Sequence, residues 1–245
     1  MFGSYQFGKP VNLGSITLET YEDAGLYVYH RKSDSELKKI MSSPFNLLVN
    51  PVEPVTQPEK VTHYLLIRMA FPVLVASESK TTLFLTFPIE IGVFPEVEDF
   101  MDLGFFTSTR KEEAPIDLFT LTNPKYTLYG DPDNGVICKM WESDIHTQIP
   151  QVNPLSEGVV KVEIQNSAPK RKEMIKLVFD ALHMKIFYKE FAMVNAVVKI
   201  NKNDIAETSF LDEPPLEGMK KAARIFSSSK VPAMEKESFF MEWGL

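Results

Sequence analysis

Residues 81–94 constrain the fold more than any other stretch of the chain. Leu83, Leu85, Phe87, Ile89, Ile91 and Val93 are all apolar, while Thr82, Phe84, Thr86, Pro88, Glu90, Gly92 and Phe94 between them are mixed. A period of two held this long puts one greasy row on one face of a strand. Such a row must be covered by a second layer, so the chain is expected to be a packed β protein.

Further segments carry the same signature. Residues 16–20 and 26–30, joined by Glu22-Asp23-Ala24-Gly25, predict an opening β-hairpin. Residues 45–49 predict a strand ended by Asn50-Pro51. The close spacing of Pro51, Pro54 and Pro58 then predicts an extended surface segment or edge. Val61, His63, Leu65, Ile67, Met69 and Phe71 share one side of a strand, expected to pair antiparallel with the 81–94 strand across the polar turn 77–80.

Residues 126–129 and 136–141 flank Asp131-Pro132-Asp133-Asn134-Gly135, the clearest hairpin in the sequence, with Gly135 expected at positive φ. Val160, Val162 and Ile164 mark a half-buried strand. The 173–189 run fits a helical face or two strands; its β-branched and aromatic residues favour strands. Residues 192–200 and 238–243 predict two more strands, and 216–225 permit a short helix.

This reading gives an all-β fold of two sandwich-like, immunoglobulin-like domains with little helix, an N-terminal β domain at 1–110 and a C-terminal β-sandwich at 111–245. The acidic, Phe-rich stretch 95–115 reads as the connection between them.

Composition narrows the function classes. The net charge is −7 and the pI about 5.3, which disfavours nucleic acid as a partner. Lys170, Arg171 and Lys172 form the one dense basic cluster and read as a solvated turn. With one cysteine, Cys138, no internal disulfide can form, and Cys138 reads as a buried, inert thiol. No signal-peptide pattern or stretch of ~18 apolar residues is evident, so no membrane insertion and a cytoplasmic location are expected.

No residues are spaced as a zinc pair, calcium loop, nucleotide-binding loop or serine elbow, so no metal and no cofactor are expected. Five residues are candidates for acid–base or metal chemistry. Glu90 interrupts an apolar run; if buried it needs a partner such as Arg68, although Thr82 and Thr86 on its row favour a solvent-exposed face. His63 lies on the apolar row of its strand. Asp144 and His146 share a strand face if that strand persists.

Asn50-Pro51-Val52-Glu53-Pro54-Val55, the 85–94 run and the 125–139 hairpin together resemble an archaeal family of uncharacterised proteins, a domain of unknown function, over nearly the whole chain. The resemblance implies no assigned catalytic residue. Members of that family encoded near mechanosensitive-channel-type membrane proteins imply a membrane-protein partner. The expected function is a non-enzymatic binding or assembly module, with a protein partner bound through aromatic residues among Tyr27, Tyr29, Tyr126, Tyr129 and Trp141, or equally a homodimer through an edge strand or sheet face. The alternative is a metal-dependent or acid–base hydrolase with its site between the two domains.

Overall fold

The computed structural model describes residues 2–56, 61–96, 114–201, 205–225 and 238–244. The first strands are β1 (Gly3–Tyr5), β2 (Val11–Leu13), β3 (Ile16–Asp23), β4 (Leu26–Lys32), β5 (Leu37–Met41) and β6 (Asn46–Glu53). Next come β7 (Tyr64–Val75), β8 (Ser79–Pro88), β9 (Glu90–Glu96), β10 (Asp117–Phe119), β11 (Lys125–Tyr129) and β12 (Val136–Ser143). The chain continues through β13 (Glu157–Asn166), β14 (Lys172–Asp180), β15 (Phe187–Tyr188), β16 (Ala192–Ile200) and β17 (Ala206–Leu211). It ends with β18 (Lys220–Lys221), β19 (Ala223–Arg224) and β20 (Ser238–Met241). A single 3-10 turn at Ala181–His183 is the only helical element among the described residues, none of which forms a helix able to cross a membrane.

The strands make four sheets. Sheet A is β1-β6-β9-β10 with β19 added to β6. Sheet B is the meander β2-β3-β4-β5. Sheet C is β11-β12-β7-β14. Sheet D is β18-β15-β16-β13-β8, with β17 on β16 and β20 on β17. Sheets C and D each draw strands from both sides of residue 110. Most pairs are antiparallel, but β12–β7, β13–β16 and β19–β6 are parallel.

The 81–94 row is buried throughout: Leu83, Leu85, Phe87, Ile89, Ile91 and Val93 are at most 4% exposed. It does not belong to one sheet. β8 pairs with β13 in sheet D, and beyond Ile89 the same extended chain becomes β9, paired with β6 and β10 in sheet A. Alternation survives because the row faces the interior in both sheets; strands commonly turn the corner between packed layers this way.

Three expectations are corrected. β7 and β8 follow one another but are not ladder partners: β7 lies between β12 and β14, and β8 against β13. The strand from Asn46 does not stop at Asn50-Pro51 but runs to Glu53, and residues 49–56 are all buried. Pro51 is tolerated there because β1 covers Leu47 to Val49 and β19 covers Val52 and Glu53, leaving the edge of β6 open between them. Pro58 and most of the 95–115 connection lie outside the described residues. Finally, residues 216–225 are not helical. Lys220–Lys221 joins β15 and Ala223–Arg224 joins β6, so two different sheets take the backbone bonds that a helix would have kept.

The other two predicted hairpins, β3–β4 and β11–β12, form. In the β11–β12 turn the backbone requirement falls elsewhere than expected: Gly130 has φ 104°, while Gly135 is needed for space. A Cβ on Gly135 would lie 2.5 Å from the Asp131 carbonyl oxygen. Gly158 in β13 is restricted by packing. It is paired with Phe87, and a Cβ there would meet two atoms of the Phe87 ring at 2.5 Å and the Ala192 carbonyl oxygen at 3.0 Å. Gly158→Ala should therefore cost about 1–3 kcal/mol in urea unfolding, as overpacking does; an unchanged midpoint would contradict this packing.

Candidate functional site

Two charges flanked by apolar residues meet in the seam between sheets A and C. In β9, Glu90 lies opposite Val52 of β6. In β12, Lys139 lies opposite Leu65 of β7 and Tyr126 of β11. The Lys139 Nζ donates to Glu90 Oε1 and to the Val55 carbonyl oxygen, both at 2.6 Å. The two side chains are 2% and 3% exposed. Removing both charges from water is costly, and their attraction and hydrogen bonds offset that cost only in good geometry. The consequence is positional: the Glu90 carboxylate and the 54–56 segment are tied to the middle of β12.

The solvent-exposed face expected for Glu90 is thus overturned, and its buried partner is Lys139 rather than Arg68. Thr82 and Thr86 were poor guides because they belong to sheet D, whereas Glu90 begins the part of the strand that has entered sheet A. Lys139 is a residue that the sequence reading missed. The available signal was its position as the only charge between Val136 and Trp141.

Glu53 occupies the other face of the same sheet end, since alternation turns it away from Val52 and Glu90. It is 2% exposed. Its Oε1 accepts from the Ile186 backbone N–H at 2.5 Å, and its carbonyl oxygen accepts from the Ile225 N–H at 2.8 Å. Burial pushes its carboxyl from 4.5 up to about 7, against the opposing pull of that N–H and of Lys185, Lys221 and Arg224.

The remaining candidates are dispersed. His63 Nδ1 is 3.0 Å from Asp180 Oδ1, its ring stacks on Tyr64 at 4.0 Å, and its side chain is 34% exposed. His183 Nε2 lies 3.9 Å from the other Asp180 oxygen. Arg68 and Asp144 are brought together: with Glu142 and Ser143 they line an open cleft of about 400 Å³. β12 ends at Ser143, so Asp144 and His146 do not share a strand face; His146 instead forms a two-bond backbone bridge with Phe84.

Other polar groups serve the fold. Asp117 Oδ2 accepts from Tyr29 Oη and Arg31 Nε, both at 2.7 Å, which ties sheet B to β10. Burial and Asp117 raise the Tyr29 phenol well above its usual range. Cys138 is fully buried, and burial pushes its thiol up to about 12, so it is not a poised nucleophile. Asp131 Oδ1 accepts the N–H groups of Asp133 and Asn134, so this loop is organised as a turn. Among the described residues, no group of three or more His, Cys, Asp or Glu is arranged to hold a metal ion.

Apolar surface gathers on sheet C. Of the aromatic set expected to face a partner, Tyr29 and Tyr129 are core, Tyr27 and Trp141 are partly buried, and Tyr126 is exposed. Tyr126 shares one end of the sheet with Leu128 and Ile137, which lie directly opposite each other in β11 and β12. Phe71, Leu74 and Ile175 are exposed at the other end, on β7 and β14.

The fold is therefore an all-β assembly of four sheets with its charged groups engaged inside and apolar side chains presented on sheet C. The chain belongs to the family described as "Protein of unknown function (DUF432)", which matches residues 1–242. No curated protein and no solved structure matches it.

Proposed function

We propose that the chain is a non-enzymatic binding or assembly module built from sandwich-like sheet layers, with sheet C as its docking surface. The observation that carries this reading is the cross-strand pair Leu128 and Ile137, 45% and 52% exposed, beside Tyr126 at 41%. Two apolar side chains facing each other across a ladder and left in water mark a contact surface more often than isolated exposed residues do. The partner is a second copy of the chain or another protein. The buried Glu90–Lys139 pair supports the same reading, because it fixes β12 two residues from Ile137 on the same face, opposite Tyr126.

Leu128→Asp/Ile137→Asp tests it by sedimentation velocity. The wild-type chain is expected to self-associate, and the double variant to weaken that association by about 100-fold, the equivalent of ~3 kcal/mol for two apolar side chains. A wild-type chain that stays monomeric at every concentration would contradict self-assembly at this face.

A further inference from the structure

We infer that the outer end of the β7–β14 ribbon docks on an anionic lipid surface. This deepens the binding-module reading and rests on it, but it concerns the opposite end of sheet C. β12 leaves β7 at the Ser143–Met69 pair, and the β14 ladder shifts register between Met174 and Lys176, so residues 70–72 have no ladder partner among the described residues and β7 rejoins β14 at Val73 to Val75. Phe71 is 72% exposed, Leu74 61% and Ile175 of β14 43%, all at this register shift. Together they make an apolar tip. Exposed apolar side chains of this kind can enter the soft boundary between headgroups and acyl chains.

Charge complementarity favours the same occupant. Residues 168–173 carry three cations, Lys170, Arg171 and Lys172, against the single carboxylate of Glu173, in a chain whose net charge is −7, while the Lys176 ammonium is turned onto the Tyr129 ring. Lys170 and Arg171 are exposed. The cationic turn is fixed against the apolar tip by Asn166, whose buried amide nitrogen donates to the carbonyl oxygens of Val75 at 3.2 Å, Ala76 at 2.9 Å and Lys170 at 3.0 Å. Glu173, opposite Leu74, and Glu78 in the following turn oppose the attraction without cancelling it. Pro72 argues against a second copy adding its strand to this open edge, because it has no N–H to give.

Co-sedimentation with vesicles tests the proposal, using phosphatidylcholine alone and phosphatidylcholine mixed with phosphatidylglycerol. Wild-type protein should bind the anionic vesicles, and less tightly as salt is raised. Lys170→Gln/Arg171→Gln should weaken binding about thirtyfold, from roughly fivefold per cation. Phe71→Ser/Leu74→Ser should abolish it while keeping the wild-type melting transition, since both side chains already lie in water. Absence of binding, binding indifferent to phosphatidylglycerol, or binding retained by the serine variant would each overturn the proposal. Loss of self-association in the serine variant, without vesicle binding, would assign the tip to a second copy and overturn it equally. None of these failures alters the outcome expected for Leu128→Asp/Ile137→Asp.

Discussion

Glu90→Leu should lower the unfolding free energy by about 3–5 kcal/mol, because it leaves the Lys139 ammonium buried without its carboxylate. What remains for Nζ is the Val55 carbonyl oxygen at 2.6 Å, which carries no formal charge. The companion variant Glu90→Leu/Lys139→Met removes both charges and fills the seam with apolar side chains. It should recover most of the loss, and it can match the wild type, since a buried pair replaced as a whole is often neutral. Chemical denaturation of the three proteins checks this. A double variant as destabilised as Glu90→Leu, or more so, would mean that the two groups do not depend on each other.

The second large effect is a pH dependence centred on Glu53. Its carboxyl titrates near 4.5 when unfolded and at about 7 when folded, so the native state holds the extra proton between those values. The corresponding stability is fully present below about pH 4.5 and is lost as pH rises through about 7. A shift of this size is worth roughly 3 kcal/mol at most. Glu53→Gln keeps an oxygen for the Ile186 N–H and cannot ionise, so its stability should be flat over this window and exceed that of the wild type above pH 7. Melting curves from pH 4 to 8 check this; an unchanged slope in the glutamine variant would place the titration elsewhere.

Much of the fold was legible because local and tertiary demands agree. The 81–94 row, the β3–β4 and β11–β12 hairpins and the strand β16 all follow from alternation and turn residues. What was illegible depends on neighbours distant in sequence. Nothing in 81–94 announces the change of sheet at Ile89, since both sheets bury the same side. Pro51 reads as a strand terminator until β1 and β19 are seen to leave its edge vacant. Phe71 continues the apolar row of Leu65, Ile67 and Met69, yet it stands in water because β12 stops two residues earlier, at Met69, and β14 shifts register there. The Glu90–Lys139 pair was half legible. Each residue is a charge flanked by apolar neighbours, but only the seam between two sheets shows that the charges answer each other.

Hydrogen exchange followed by mass spectrometry tests the central claim most directly, that one continuous strand passes through two sheets with its apolar row sealed. Amides of residues 83–93 should exchange among the slowest in the protein, opening only with global unfolding, while those of the edge strand β5 exchange much faster. Rapid exchange on either side of Ile89, at rates like those of β5, would contradict it.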